Sequence, residues 1–272
     1  EVAACLGQAA CRRGFSCLMR CGLADQACAY RCLLSHDTQA LTQLSFCALQ
    51  MQNVLNSNVQ PPDTPRIQPL KTFRGTQLTF DAADDLLVGH FRPLMGANYS
   101  WLVAAASNPA YTQFSNQYQR WSHGPRWSGE RSFAYRATFR AEASDGRPVW
   151  TTKGYSVNRL DVPGSWEFSA MDSGIGLSER WNVLGADDDL EWLVLNFAGA
   201  AERACMAYRG CIVLTKDGQL PTGAKLEAVR LAVERAGLRM WELVATRTLP
   251  IDPLDPPPLT VQRLELEASQ EA

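Results

Sequence analysis

Cysteine placement constrains this chain more than any other feature. Of its 9 cysteines, Cys5, Cys11, Cys17, Cys21, Cys28, Cys32 and Cys47 crowd the first 47 residues, and none follows until Cys205 and Cys211. Such crowding marks a small amino-terminal module held by cross-links rather than by a large core. Within "CLMRCGLADQACAYRC", residues 17–32, the cysteines form two pairs whose members lie four residues apart. Residues so spaced share one face of a helix. Two antiparallel helices joined by the turn over residues 22–27 then meet through bridges Cys17 to Cys32 and Cys21 to Cys28. Zinc cages favour other loop lengths and often histidine, and a thioredoxin-type relay has two intervening residues, so metal and redox readings are the alternatives to a disulfide clamp. A bridge in a core-poor module contributes about 2–4 kcal/mol and persists only in an oxidising compartment, which points to a secreted, periplasmic or lumenal protein. Five cysteines remain. That odd number leaves Cys5, Cys11, Cys47, Cys205 and Cys211 unassigned, with Cys205 and Cys211 able to bridge locally or reach back to the module.

Composition excludes several classes. At 272 residues and 46% hydrophobic the chain can bury a substantial core, as one domain with a smaller companion. Its 26 basic and 28 acidic residues leave a net charge of -2, without the basic footprint of a nucleic-acid binder. No apolar run reaches the roughly 18 residues of a membrane-spanning helix. The start, Glu-Val-Ala-Ala-Cys, has neither a charged-then-apolar leader nor a Ser/Arg-rich transit stretch and reads as the beginning of a processed mature form.

Organisation follows from punctuation and periodicity. Residues 1–57 read as the disulfide-clamped helical module, and the proline-rich "NVQPPDTPRIQP" lies in a linker over 58–72. Residues 73–249 form the body. It opens on a short strand and a helix in "DAADDLLVGHFRPL" that Asp81 caps, and then turns to strands. In "SFAYRATFRA", Phe133, Tyr135, Ala137 and Phe139 alternate with Arg136, Thr138 and Arg140, and Asp145-Gly146 supplies a hairpin turn before "PVWTTKGYSV". About eight such runs suggest a closed antiparallel barrel or a sandwich. "TGAKLEAVRLAVERAG" is an amphipathic helix that packs Leu226, Val229 and Val233 and stops at Gly237. Residues 250–272 read as an extended, proline-rich tail whose last stretch is a loose turn.

An eight-stranded up-and-down barrel encloses room for one apolar ligand. Trp101, Trp121, Trp150, Trp166, Trp181 and Trp192 all fall in strands; singly each reads as core, and as a set they favour a flat or long apolar guest. Residues expected to touch such a ligand are Trp101, Gln117, Phe133, Tyr135, Phe139, Trp150, Trp181 and Trp192.

The order of pieces resembles a known family. A cysteine-rich module, a linker and a barrel with "YSWLVAAASNPAYTQFSNQ", "ADDDLEWLVLNFAGAA", "YRGCIVLTKDG" and "LEAVRLAVERAGL" are similar to violaxanthin de-epoxidase and its related chloroplast proteins over residues 1 to about 247. Trp101 falls on the tryptophan of the lipocalin Gly-x-Trp signature with Tyr99 in place of the glycine, Asn108-Pro109 matches the Asn-Pro that follows, and Lys216 replaces an arginine. The resemblance implies a mainly β fold: an eight-stranded lipocalin-like barrel with a carboxyl-terminal helix after a disulfide-rich helical module. It also implies the thylakoid lumen, peripheral to the membrane, a xanthophyll or other carotenoid or lipid in the barrel, and, if the chain is an enzyme, ascorbate as reductant with no bound cofactor and no metal.

Departures from the family bear on chemistry. Opening an epoxide needs a proton donor, and Ser115 stands at the family's aspartate, Thr112 at an earlier aspartate and Asn116 at a cysteine, while Gln117 is retained. Val54 stands where the module of the enzyme has another cysteine, and the comparison with the enzyme leads to the expectation that its carboxyl-terminal partner cysteine and Glu-rich domain are missing. His36, His90 and His123 are the histidines that could sense lumenal pH, His123 reading as a surface residue. Asp187, Asp188 and Asp189 read as a solvated turn rather than a metal site. Two readings compete: a ligand-binding or scaffold protein of a photosynthetic membrane complex without de-epoxidation, and an epoxide-converting or isomerising enzyme whose acid is Glu130, Glu167 or Asp172.

Overall fold

Alternating apolar strands close on themselves in the body of the molecule. The computed structural model describes residues 1–258 apart from 23–24, 64–66, 90–91, 95–96, 109–110, 112 and 128–129. Eight antiparallel strands follow in sequence order: β1 Trp101–Ala106, β2 Ser115–Trp127, β3 Glu130–Glu142, β4 Pro148–Arg159, β5 Ser165–Asp172, β6 Ile175–Ala186, β7 Trp192–Ala201 and β8 Met206–Thr215. β8 pairs back onto β1, from Ile212 opposite Ala106 to Thr215 opposite Leu102, so these strands form a closed up-and-down barrel with no free edge between them. A short β9, Val244–Ala245, adds against β1. Gly146, at φ 84, makes the turn between β3 and β4 where the Asp-Gly pair predicts it.

Both faces of the barrel wall are covered on one side. Along β7, Leu193, Leu195 and Phe197 join the interior cluster, and Trp192 and Val194 join a second cluster outside it. Helix α6, Gly223–Arg235, seals that outer cluster with Val229, Ala232 and Val233, and Gly237 at φ 72 ends it.

Helix α5, Phe80–Val88, closes one end by adding Ala83, Leu86 and Leu87 to the interior cluster. Its cap is Thr79, whose hydroxyl accepts from Ala82 N at 3.2 Å, and not Asp81 as the sequence suggested. Thr79 precedes the first helical residue, which is where a side chain reaches the free amides. Asp81 and the fully buried Asp84 instead take the Arg159 guanidinium, and Asp84 also accepts from Trp166 Nε1 at 3.1 Å.

The amino-terminal module is a set of short helices: α1 Val2–Gly7, α2 Ala9–Leu18, α3 Gln26–Ser35 and α4 Gln39–Ser45, continued by a wide turn over Phe46–Met51. Bridges join Cys17 to Cys32 and Cys21 to Cys28 across α2 and α3, and Cys5 to Cys11 across α1 and α2. Cys47, Cys205 and Cys211 are free thiols. Cys211 faces the cluster under α6, and Cys205 stands in the connection before β8, so the two do not pair. A Cβ on Gly14 would come within 2.7 Å of the Leu41 side chain, so glycine lets α2 and α4 approach.

A carboxyl-terminal strap crosses the barrel wall rather than hanging free. Trp150 Nε1 donates to Asp255 O at 3.0 Å, and Arg140 pairs with the Asp255 carboxylate at 3.1 Å. Asn116, buried and left-handed at φ 52, holds Leu249 from both sides: its Nδ2 donates to Leu249 O at 2.7 Å and its Oδ1 accepts from Leu249 N at 3.0 Å. The asparagine thus makes by hydrogen bonds the kind of link to the carboxyl-terminal segment that a disulfide makes. Glycine at 116 keeps the backbone conformation and removes both bonds. Asn116→Gly is therefore expected to destabilise by about 2 kcal/mol, read as a lowered urea midpoint with faster amide exchange over residues 247–258. An unchanged midpoint would show that the strap is held elsewhere.

Candidate ligand site in the calyx

Inside the barrel, at the end opposite α5, lies a cavity of about 190 Å³. Its walls are inward-facing strand residues, among them Gln119, Tyr135, Phe139, Glu179, Trp181 and Tyr208. Its floor is an aromatic stack in which Trp121 lies 4.2 Å from Tyr135 and Phe168 lies 5.0 Å from Trp181, ring centre to ring centre. The roof is α3. Gln26, Ala29, Tyr30 and Leu33 line the cavity, positions that share one helix face. Tyr30 anchors the roof: its hydroxyl is 3.0 Å from Thr151 Oγ1, and its ring lies 5.4 Å from Phe114 and 5.6 Å from Phe139. Arg31 adds bonds to Glu142, and Ser35 Oγ accepts from Ser144 N at 2.6 Å. The cysteine-rich module is thus pinned over the calyx mouth.

Polar groups sit at two levels. Near the mouth, Lys153 pairs with Asp172 and lies 5.0 Å from the Tyr30 ring centre. Deeper, Glu179 is 8% exposed and receives hydrogen bonds from Trp181 Nε1 at 2.6 Å and from the Tyr208 hydroxyl. Burial raises the Glu179 carboxyl above its ordinary value, and the bonds from Tyr208 and Trp181 oppose that rise only in part. Burial likewise pushes the Tyr208, Tyr155 and Tyr135 phenols up, with the Glu179 charge adding to each. The arrangement places a carboxyl that holds its proton more tightly than an ordinary one inside an apolar chamber, a setting suited to donation to a ligand oxygen.

Sequence-expected ligand residues divide evenly. Gln117, Tyr135, Phe139 and Trp181 line the cavity. Gln117 is less free than expected, because its Nε2 donates to the Phe114 and Tyr111 carbonyls, leaving the side-chain oxygen as its remaining polar atom. Trp101 lies beside α5, with Nε1 donating to Leu87 O at 2.9 Å. Phe133 stacks on Trp121 beneath the floor. Trp150 packs outside the wall near Tyr118 and the strap, and Trp192 packs outside under α6. Strand phase or depth keeps these four off the cavity wall.

Ser115 lies outside the calyx, in a separate cleft of about 490 Å³ with Arg31, Arg140 and Arg247. The left-handed Asn116 and the register shift between Ser115 and Tyr118 add a residue there, so Phe114 and Gln117 both face the cavity and Ser115 does not. Among the proposed acids, Glu167 points outward, Asp172 reaches the mouth but is engaged by Lys153, and the Glu130 side chain lies outside the described residues, as do Thr112 and His90. His123 stands 3.6 Å from Asp85 near α5, far from the roof. The acidic turn is occupied by its neighbours, Asp187 by Lys225 at 3.1 Å and Asp188 by Arg74 N at 3.2 Å. Sequence reasoning missed Glu179. Its signal was phase: Leu177, Glu179, Trp181 and Val183 share one face of "IGLSERWNVL", and a lone carboxylate among apolar partners on a core face is anomalous.

The family model described as the VDE lipocalin domain matches residues 1–248. No curated protein matches the sequence. Solved structures that resemble the chain include insecticyanin from the tobacco hornworm Manduca sexta, at 10% identity over 72% of this chain and 90% of that one, with a TM-score of 0.46. Lobster apocrustacyanin A1 gives 11% identity over 71% and 97%, with a TM-score of 0.39. H1 crustacyanin from the lobster Homarus americanus gives 14% identity over 71% and 97%, with a TM-score of 0.40.

Proposed function

Because the chain belongs to the violaxanthin de-epoxidase-related family of lipocalin-domain proteins, we propose that its calyx takes the cyclic, oxygen-bearing end group of a xanthophyll or similar apolar ligand in the thylakoid lumen. The observation that carries this reading is the buried Glu179 carboxyl beside Trp181 and Tyr208 within an otherwise aromatic chamber. Ligand pockets commonly measure about 300–1,000 Å³, and the calyx of about 190 Å³ has room for one substituted ring but not for a long polyene. The rest of such a ligand then leaves past α3, so loading requires the roof to shift.

Glu179 also favours a second reading, in which the same site opens an epoxide. Glu179 donates its proton to the ring oxygen, and the Trp181 Nε1 and Tyr208 hydroxyl donors already in place stabilise the carboxylate left behind. The oxygen departs as water, the carbon–carbon double bond forms, and ascorbate supplies two electrons and two protons as it is oxidised to dehydroascorbate, one proton completing the water and the other restoring the Glu179 acid. Lack of an acid at Ser115 does not count against this chemistry, since that side chain faces another cleft.

Purified protein mixed with violaxanthin is expected to retain the pigment through gel filtration, with quenched tryptophan emission. Ala137 lines the cavity, and Ala137→Phe fills the space that the ring needs, so retention is expected to fall at least tenfold with little loss of stability. Equal retention by this variant would place the pigment elsewhere and sink the calyx reading.

A further inference from the structure

We infer that the outer face of α1 and α2 is a docking surface for a bilayer containing anionic lipid. On α2, Cys11, Gly14 and Leu18 turn inward to the module core, which leaves two outward stripes. Arg12, Phe15 and Met19 form one and Arg13, Ser16 and Arg20 the other, each at spacings that share a helix face. Phe15 is 43% and Met19 70% exposed, and on α1 Val2 is 60% and Leu6 49% exposed. The Arg12 guanidinium donates to Leu6 O, which ties the α1 apolar pair to the same face.

Charge selects the occupant. Arg12, Arg13, Arg20 and Arg31 line a cleft of about 850 Å³ in which, among the described residues, Asp25 is the single carboxylate-bearing one. Arg31 is answered by Glu142. Among the described residues no carboxylate pairs with Arg12, Arg13 or Arg20; Arg12 and Arg20 donate to backbone carbonyls. This surplus of cations stands on a chain whose net charge is -2. Cations with long apolar stems beside exposed Leu, Phe and Met side chains suit the headgroup boundary of an anionic bilayer, where the stems and apolar groups sink and the guanidinium groups meet phosphate. No helix among the described residues is long and apolar enough to cross a membrane. Contact of this kind would be peripheral and sensitive to salt. Position adds purpose: Cys17–Cys32 and Cys21–Cys28 fasten α2 to α3, the roof of the cavity. Docking therefore brings the calyx mouth to a lipid phase in which an apolar guest dissolves. That purpose rests on the calyx reading above, whereas the docking does not.

Vesicle co-sedimentation tests the inference. The wild-type chain is expected to pellet with phosphatidylcholine vesicles that include one third phosphatidylglycerol, to stay in solution with phosphatidylcholine alone, and to be released by high salt. Arg12→Ala, Arg13→Ala and Arg20→Ala together are expected to weaken partition on the order of a hundredfold. Phe15→Ser with Met19→Ser is expected to weaken it independently. Retained near-ultraviolet circular dichroism establishes that the variants fold. Equal partition to both vesicle types, no partition at all, or an arginine variant that binds like wild type would overturn the proposal. Quenching of tryptophan emission by violaxanthin in detergent reports the calyx separately: its loss with intact vesicle binding sinks the calyx reading alone, and the converse sinks docking alone.

Discussion

On the epoxide-opening reading, Glu179→Gln is expected to lower conversion by about a hundredfold to ten-thousandfold, the usual contribution of a positioned acid, while leaving pigment retention within a few-fold. Glutamine keeps the size of the side chain and still accepts from Trp181 Nε1 or Tyr208, so the barrel has no steric reason to fail. The same substitution has a consequence for stability. Burial raises the folded-state carboxyl above its ordinary value of 4.5, so the folded chain holds this proton more tightly than the unfolded one. Stability from this group is full below the ordinary value and falls as pH rises through the raised folded value, at about 1.4 kcal/mol per pH unit within that window. Urea midpoints measured across acid to neutral pH should show that decline in the wild type and its absence in Glu179→Gln. Parallel pH curves for the two proteins would remove Glu179 as a buried acid. Ser115→Asp is the control: the new carboxylate enters the cleft with Arg140 and Arg247, and conversion is expected not to change.

Reduction of the module disulfides is the second large effect. The Cys17–Cys32 bridge closes a separation of 15 residues, and loops near that length give about 3 kcal/mol on the chain-entropy account. Cys21–Cys28 is nested within it. The module core that remains consists of a few side chains around Ala40, Leu41 and Leu44, too little to keep α2 and α3 together without cross-links. A dithiol is therefore expected to loosen the module first and free the Tyr30 face of α3 from Phe114 and Phe139, while the barrel, whose free thiols are Cys205 and Cys211, stays folded. Limited proteolysis should then cut within residues 58–72 well before it cuts the strands, and pigment should exchange faster. Simultaneous loss of module and barrel under reduction would show that the two form one cooperative unit. Unchanged exchange would show that α3 does not gate the calyx.

The sequence by itself determined the local features. The Cys17–Cys32 and Cys21–Cys28 pairing follows from helix periodicity, and the antiparallel strands follow from their period of two with an Asp145-Gly146 turn, because each depends on residues near in sequence; periodicity left barrel and sandwich both open, and the family resemblance implied the barrel. Inward phase was legible for Tyr135, Ala137 and Phe139 on an uninterrupted strand. It was not legible at Ser115, because a single left-handed residue at Asn116 changes which neighbours face inward.

Only the tertiary structure decided which side of the wall a buried residue lies on. Trp181 and Trp192 are equally apolar in sequence, but α6 covers the outside of β7, so burial there does not mean calyx. Closure of the strands placed Glu179 beside Tyr208, 29 residues further along the chain. The free volume left above the aromatic floor, and its cover by α3, depend on how all the inward side chains pack at once. No pattern along one strand carries that sum.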